Sequence, residues 1–447
     1  MKSMKWLFAV SILLLLSIPP VAADEVTELK AMVQQLKDDY EAKINALEAR
    51  VNQLESSQEQ KVAELREKVK EGTLNVDYVG RQNGPFEKGG LVVETPSGGS
   101  RVSVGGYMDH EFESFENANS TFDQHRYILQ IGAEIAERLQ MQMEYEIEHG
   151  GTDASGGGEA KIEYAFMDYL MEEWINLRAG ALLVPFGRLN LYHDSDLRDL
   201  TDRPLVTRDI IPTTWTESGG GFYGEFNPTF GEYEDLVLSY ETYVINGLDD
   251  GFTDTGLSGA RGSLESDNNN SKAVVGRLQV SPFLGQEIGF SGYRGKYNTL
   301  DDNISGTAVD WLSTWGPLEL VGEYAHFDVD EPDFTTGSVT DVPKTYDGYY
   351  IQANYHFWPE FLNNTFLGRG FEDPTFTLVN QYGWAKIDDD ADATAGDNEE
   401  TRYTLGLNYR PLASWVFKME YQWNQTDQEA LERGNNNGFL WSMAMGF

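Results

Sequence analysis

No cysteine occurs among the 447 residues, which excludes a disulfide framework and any cysteine-ligated zinc site. Positive charge is scarce: 33 lysines and arginines stand against 73 aspartates and glutamates, a formal net charge of −40. A phosphate backbone needs a basic surface, so nucleic acid is not an expected partner. Beyond the N-terminus no apolar run approaches the ~20 residues of a spanning helix, and mean hydropathy is −0.45. That excludes a helical membrane protein but not a barrel, whose strands are apolar on one face only. Histidine is rare too. His110, His125, His149, His193, His326 and His356 show no HExxH spacing and no close pair, so no metal site and no cofactor are expected. No GxSxG occurs either, and the chain reads as a non-enzyme.

What remains is a chain of strands. Aromatics reach 13% and glycines number 45, which suits many strands joined by tight turns. The last stretch shows the pattern in full. Every second residue is apolar through Trp415, Phe417, Met419, Tyr421 and Trp423, and again through Phe439, Trp441, Met443, Met445 and Phe447. Period-two alternation places these side chains on one face. Aromatics concentrate at the strand ends, where a bilayer has its interfaces. A strand ending on such a residue resembles the last strand of bacterial outer-membrane β-barrels. That resemblance implies that Phe447 is the signal read by the assembly machinery.

Taken in order, residues 1–23 read as a signal peptide. Lys2 and Lys5 supply the basic end, Leu7 to Ile18 the apolar core, and Val21-Ala22-Ala23 the cleavage site. Residues 24–72 carry no Pro and no Gly before Gly72. Val26, Leu29, Val33, Leu36, Tyr40 and Ile44 open an apolar seam that continues to Val69, at the three- and four-residue spacing of a coiled coil. Steps of eleven from Val33 to Ile44 and from Val51 to Val62 mark stutters. So thin a stripe is best covered by copies of itself, and self-association is expected. Residues 73–100 read as a linker, and residues 101–447 as strands.

About sixteen strands are expected, beginning near Arg101, Arg126, Leu139, Lys161, Ile175, Gly219, Asp235, Lys272, Gln286, Thr307, Leu318, Asp347, Thr375, Arg402, Ser414 and Gly438. Their connections alternate between tight turns and long loops, the pattern of a transmembrane antiparallel up-and-down β-barrel. An even count puts both barrel ends on the short-turn rim, and the N-terminal helix in the periplasm. Gln142, Glu144, Glu146 and Glu148 share one face of their strand. No packed core holds such a column unpaired, so this face is expected to line water, with Arg178, Glu241 and Glu420 on comparable inward positions.

The strand LRAGALLVPFG, from Leu177 to Gly187, leads into a long loop. Loops of that length are uncommon unless functional. This one carries Arg188, Arg198, Arg203 and Arg208 against Asp194, Asp196, Asp199, Asp202 and Asp209, with Pro204 and Pro212 as stiffeners. A strand ending VPFG, a long folded loop, then an acidic residue and glycines opening the next strand resemble porins of the phosphate-selective O and P type. The resemblance implies a trimeric outer-membrane porin in which this loop folds inward as the constriction. Arg188, Arg198, Arg203, Arg208, Asp194 and Asp199 are then the constriction residues. In the alternative reading, the arginines pair with the neighbouring aspartates and only hold the loop's shape. The basic ladder of that family has no counterpart in so acidic a chain. The expected function is therefore passive diffusion of ions and small hydrophilic solutes through a general or mildly cation-preferring pore. The alternatives are an anion- or phosphate-selective channel, and a structural barrel that tethers the outer membrane or sheaths a periplasmic complex. The expected partners are outer-membrane lipid, further copies of the chain as a homotrimer, and the solutes.

Overall fold

The computed structural model describes residues 50–51, 61, 74–81, 85–150, 158–229, 236–330, 342–388, 398–426 and 436–447. The expected signal peptide lies outside them. So does the expected coiled-coil helix, except for Arg50, Val51 and Lys61, which are helical. The chain divides into two units, Met1–Thr73 and Leu74–Phe447.

The second unit is all β. A short hairpin of β1 (Asn75–Val79) and β2 (Gly90–Glu94) precedes β3 (Arg101–Phe115), β4 (Thr121–Ala136), β5 (Leu139–Glu148), β6 (Glu159–Glu172), β7 (Ile175–Leu183) and β8 (Thr216–Phe226). Then follow β9 (Val237–Ile245), β10 (Ala273–Phe283), β11 (Gln286–Lys296), β12 (Asn303–Trp315) and β13 (Leu318–Val329). The last five are β14 (Thr345–Phe357), β15 (Thr375–Asp388), β16 (Asn398–Leu412), β17 (Trp415–Thr426) and β18 (Gly438–Gly446). From β3 on, each strand pairs antiparallel with the next, and β18 returns to β3 from Gly438↔Phe115 to Gly446↔Tyr107. Sixteen strands close the barrel, and closure leaves no open sheet edge.

Alternation builds the two faces. On β18, Phe439 and Met443 are exposed outward, while Leu440, Ser442 and Ala444 are buried inward. Tyr403, Leu405 and Leu407 on β16 repeat the outward row against inward Arg402, Thr404 and Asn408. Connections of two residues, at 137–138, 173–174, 284–285, 316–317 and 413–414, share one rim. The loops 184–215 and 246–272 lie on the other.

Two features depart from the sequence reading. The stretch expected as a linker contains the β1–β2 hairpin. The cause is β3, which runs past the end of β18, so that β2 pairs with the spare edge from Leu91↔Val104 to Glu94↔Arg101. The second is a long excursion, 358–374, on the short-turn rim. Trp358 stacks on Phe376 and Tyr409, and the Tyr409 hydroxyl donates to Leu367 O, so the excursion folds back over the outward aromatic row.

Candidate functional site: the loop inside the barrel

The loop 184–215 turns inward because its neck is tied shut. Val184 N donates to Trp215 O at 2.9 Å, and Asn190 bridges the two limbs, donating to Val184 O and accepting from Trp215 N, both at 2.8 Å. Phe186 and Trp215 pack edge to face at the base, and Gly187 takes the left-handed turn at φ 76°. Past the turn, Arg188 N donates to Glu323 Oε1 on β13 at 3.0 Å.

The tip then seats on the far strands. Lys418 Nζ donates to Ser195 O at 2.7 Å, Arg410 donates to Asp196 O at 2.6 Å, and Thr201 N donates to Glu420 Oε2 at 2.6 Å. Coming back, the π-helical turn Val206–Ile210 buries Val206 and Ile210. Glycines on the inner strand face make room for this limb: Val206 and Ile210 lie against Gly348, and Leu200 against Gly406. Leu248, Phe252, Leu257 and Ala260 from the loop 246–272 join the same buried apolar cluster. Two loops thus fill one side of the interior.

A residue from the linker completes the seat. Arg81, 5% exposed, donates to Asp196 at 2.7 Å, to Asp194 at 2.5 Å and to Gln130 at 2.6 Å. Nothing in the local sequence signals this role. Arg81 sits in a polar stretch, and its partners lie far along the chain.

The residues expected at the constriction separate into two groups. Arg188, Arg198 and Asp199 border a cavity of about 360 Å³, together with Tyr192, Asp202, Glu319, Gln352 and others. Asp194 is buried against Arg81. Arg203 donates to Thr213 O at 2.6 Å, and Arg208 pairs with Asp209 and Glu400 at 2.5 and 2.6 Å. These contacts hold the loop's shape.

The inward column also divides. Glu144, Glu146 and Glu420 point inward as alternation requires, but each is at most 2% exposed. They do not line water, because the loop and its partners cover them. Gln130 donates to Glu144 at 2.6 Å, Arg126 and Lys161 approach Glu146 at 3.2 and 3.1 Å, and Glu420 serves Thr201. Glu148 stands higher, paired with Lys161 at 2.8 Å. Gln142, Arg178 and Glu241 border a second cavity of about 190 Å³ with Lys88 and Tyr192. Arg178 is held there by Asp168 at 2.8 Å and stacked on Phe166 and Tyr223. Tyr192, which lines both cavities, and Lys88 were not anticipated from sequence.

Residues 98–314 match the family described as phosphate-selective porin O and P. A protein of Aquifex aeolicus (strain VF5) of undescribed function is 29% identical over 348 residues, 72% of this chain and 75% of that one. Among solved structures, Salmonella typhi OmpF in complex with daunomycin superposes with a TM-score of 0.53 at 12% identity, over 78% of this chain and 98% of that one. OmpT of Vibrio cholerae does so with a TM-score of 0.50 at 11% identity, again over 78% and 98%. This chain is therefore similar to the phosphate-selective porins O and P over residues 98–314 and has the fold of an outer-membrane porin.

Proposed function

We propose that the protein is a passive channel of the bacterial outer membrane for ions and small hydrophilic solutes, with a mild preference for cations. The observation that carries this reading is the cavity beside the loop tip. Asp199, Asp202 and Glu319 line it together with Arg188 and Arg198, and Arg188 is itself paired with Glu287. Mixed, slightly acidic linings in a chain of net charge −40 raise local cation concentration without binding one ion tightly. A second reading, anion passage, is favoured by Lys88 and Arg178 at the smaller cavity. The apolar seam of residues 24–72 supports self-association, and the resemblance makes that a homotrimer with a periplasmic helix and with Phe447 as assembly signal. The basic end, apolar core and small residues of 1–23 support a signal peptide.

Single-channel recording in a planar bilayer tests the channel. Stepwise conductance is expected, with a reversal potential on the potassium side under a KCl gradient. A chloride-side potential blocked by phosphate would replace cation preference with the second reading. A folded barrel that passes no current would overturn the channel and leave a structural barrel.

A further inference from the structure

The β4–β5 register pairs Arg126 with Glu148, so the next rung toward the long-loop rim brings His125 opposite His149. His149 N donates to His125 O at 2.9 Å, and the two rings meet edge to face with centroids 5.0 Å apart. On the other side, the β3–β4 register shifts between Asp109 and Glu111, which places Asp123 opposite Glu111. Four side chains from two strands and a loop end approach one another as a result. Asp123 Oδ2 lies 3.3 Å from His125 Nδ1 and 2.6 Å from His149 Nδ1, and Glu111 Oε2 lies 3.4 Å from His125 Nδ1.

A second observation points to a missing partner. Glu111 is 3% exposed, and its Oε1 receives no hydrogen bond. Buried carboxylate oxygens without a donor are costly, and a cation is one remedy.

We propose that His125, His149, Asp123 and Glu111 bind one divalent transition-metal ion of the zinc type at the long-loop mouth of the barrel. Tetrahedral zinc with bonds of ~2.0–2.1 Å holds its donors about 3.4 Å apart. Asp123, His125 and His149 already hold their donor atoms together, Glu111 has to swing toward them to complete the shell, and of the three edges at hand two match. The third, 2.6 Å, opens by a small turn of His149, whose side chain is 56% exposed. An outer partner is close by. His125 Nε2 lies 3.7 Å from Glu148 Oε1, a carboxylate placed to attract the ring proton once Nδ1 turns to the metal. Two imidazoles with two carboxylates suit zinc, copper or nickel better than the all-oxygen shell of calcium or magnesium.

Isothermal titration of the untagged, detergent-solubilised full chain with zinc chloride at neutral pH tests the site, with magnesium chloride as the comparison. One zinc per chain is expected, with no saturable magnesium binding. His125→Ala/His149→Ala should lose zinc by at least the ~100-fold that outer partners alone can command. Glu111→Gln, which keeps the side chain's shape, should weaken it in the same direction and guards against a misfolded double variant. The wild-type protein binding no zinc, or the double variant binding it equally well, means the four groups are ion pairs only and overturns the proposal.

Discussion

Replacing Arg81 with alanine is expected to unseat the inward-folded loop 184–215 while leaving the barrel closed. The guanidinium is buried and satisfies Asp194, Asp196 and Gln130 at once. Its loss leaves two buried carboxylates side by side with Lys88 Nζ, 3.7 Å from Asp194, as the remaining cation. Breaking a buried pair by removing one partner costs ~3–5 kcal/mol. The barrel's ladder does not pass through these groups, so the cost falls on the seat of the loop at Ser195 to Thr201. Single-channel recordings of Arg81→Ala should show a larger and noisier open level than wild type, and the loop should become sensitive to trypsin at Arg188 to Arg208. Adding Asp194→Asn and Asp196→Asn removes the stranded charge and should return most of the wild-type trace. An unchanged open level together with an intact loop would sink the idea that Arg81 holds the loop in its seat.

Arg81 also marks the limit of what the sequence discloses. The strands were legible because period-two alternation is a local property. Phe439 to Met445 and Tyr403 to Leu407 need no knowledge of partners to declare a face. The strand count and most of the sorting of loops by rim followed from the same signal, the excursion 358–374 apart. Covering was not legible. Alternation correctly turned Glu144 and Glu146 inward, but inward equals wet only where nothing lies on top, and Arg126 and Gln130 lie there, with His193 and Asp194 of the loop beside Glu144. Pairing of the loop arginines divided for the same reason. Arg208 found its neighbour Asp209, a contact one residue away, yet its second partner Glu400 comes from another strand. His125 and His149 looked unrelated in sequence because a strand register, not a spacing, brings them together. Local periodicity thus gave the scaffold, while the site rests on contacts between segments far apart in the chain.

The opposite end of the same loop offers the sharper substitution, Gly187→Val. Gly187 sits at φ 76°, a conformation that L side chains rarely adopt, and a Cβ there would fall 1.7 Å from Glu323 Oε1 and 2.9 Å from Ile211 Cδ1. Backbone strain of this kind costs ~1–3 kcal/mol. The clash adds to it, because Glu323 is fully buried and accepts from Arg188 N at 3.0 Å and from Leu189 N at 3.4 Å. Pushing the carboxylate aside strands those two donors, each worth ~1–3 kcal/mol when buried and unpaired. The first turn of the loop should therefore leave β13, with a changed conductance and a lowered yield of folded barrel. Gly187→Ala should show a milder form of the same change. The control is Gly316→Ala, on a two-residue turn at φ 59°, where a Cβ meets nothing within 4 Å. It carries the backbone strain without the collision. Equal effects from the two alanines would assign everything to strain. A conductance change confined to Gly187 would locate the gatepost of the channel where the loop first touches Glu323.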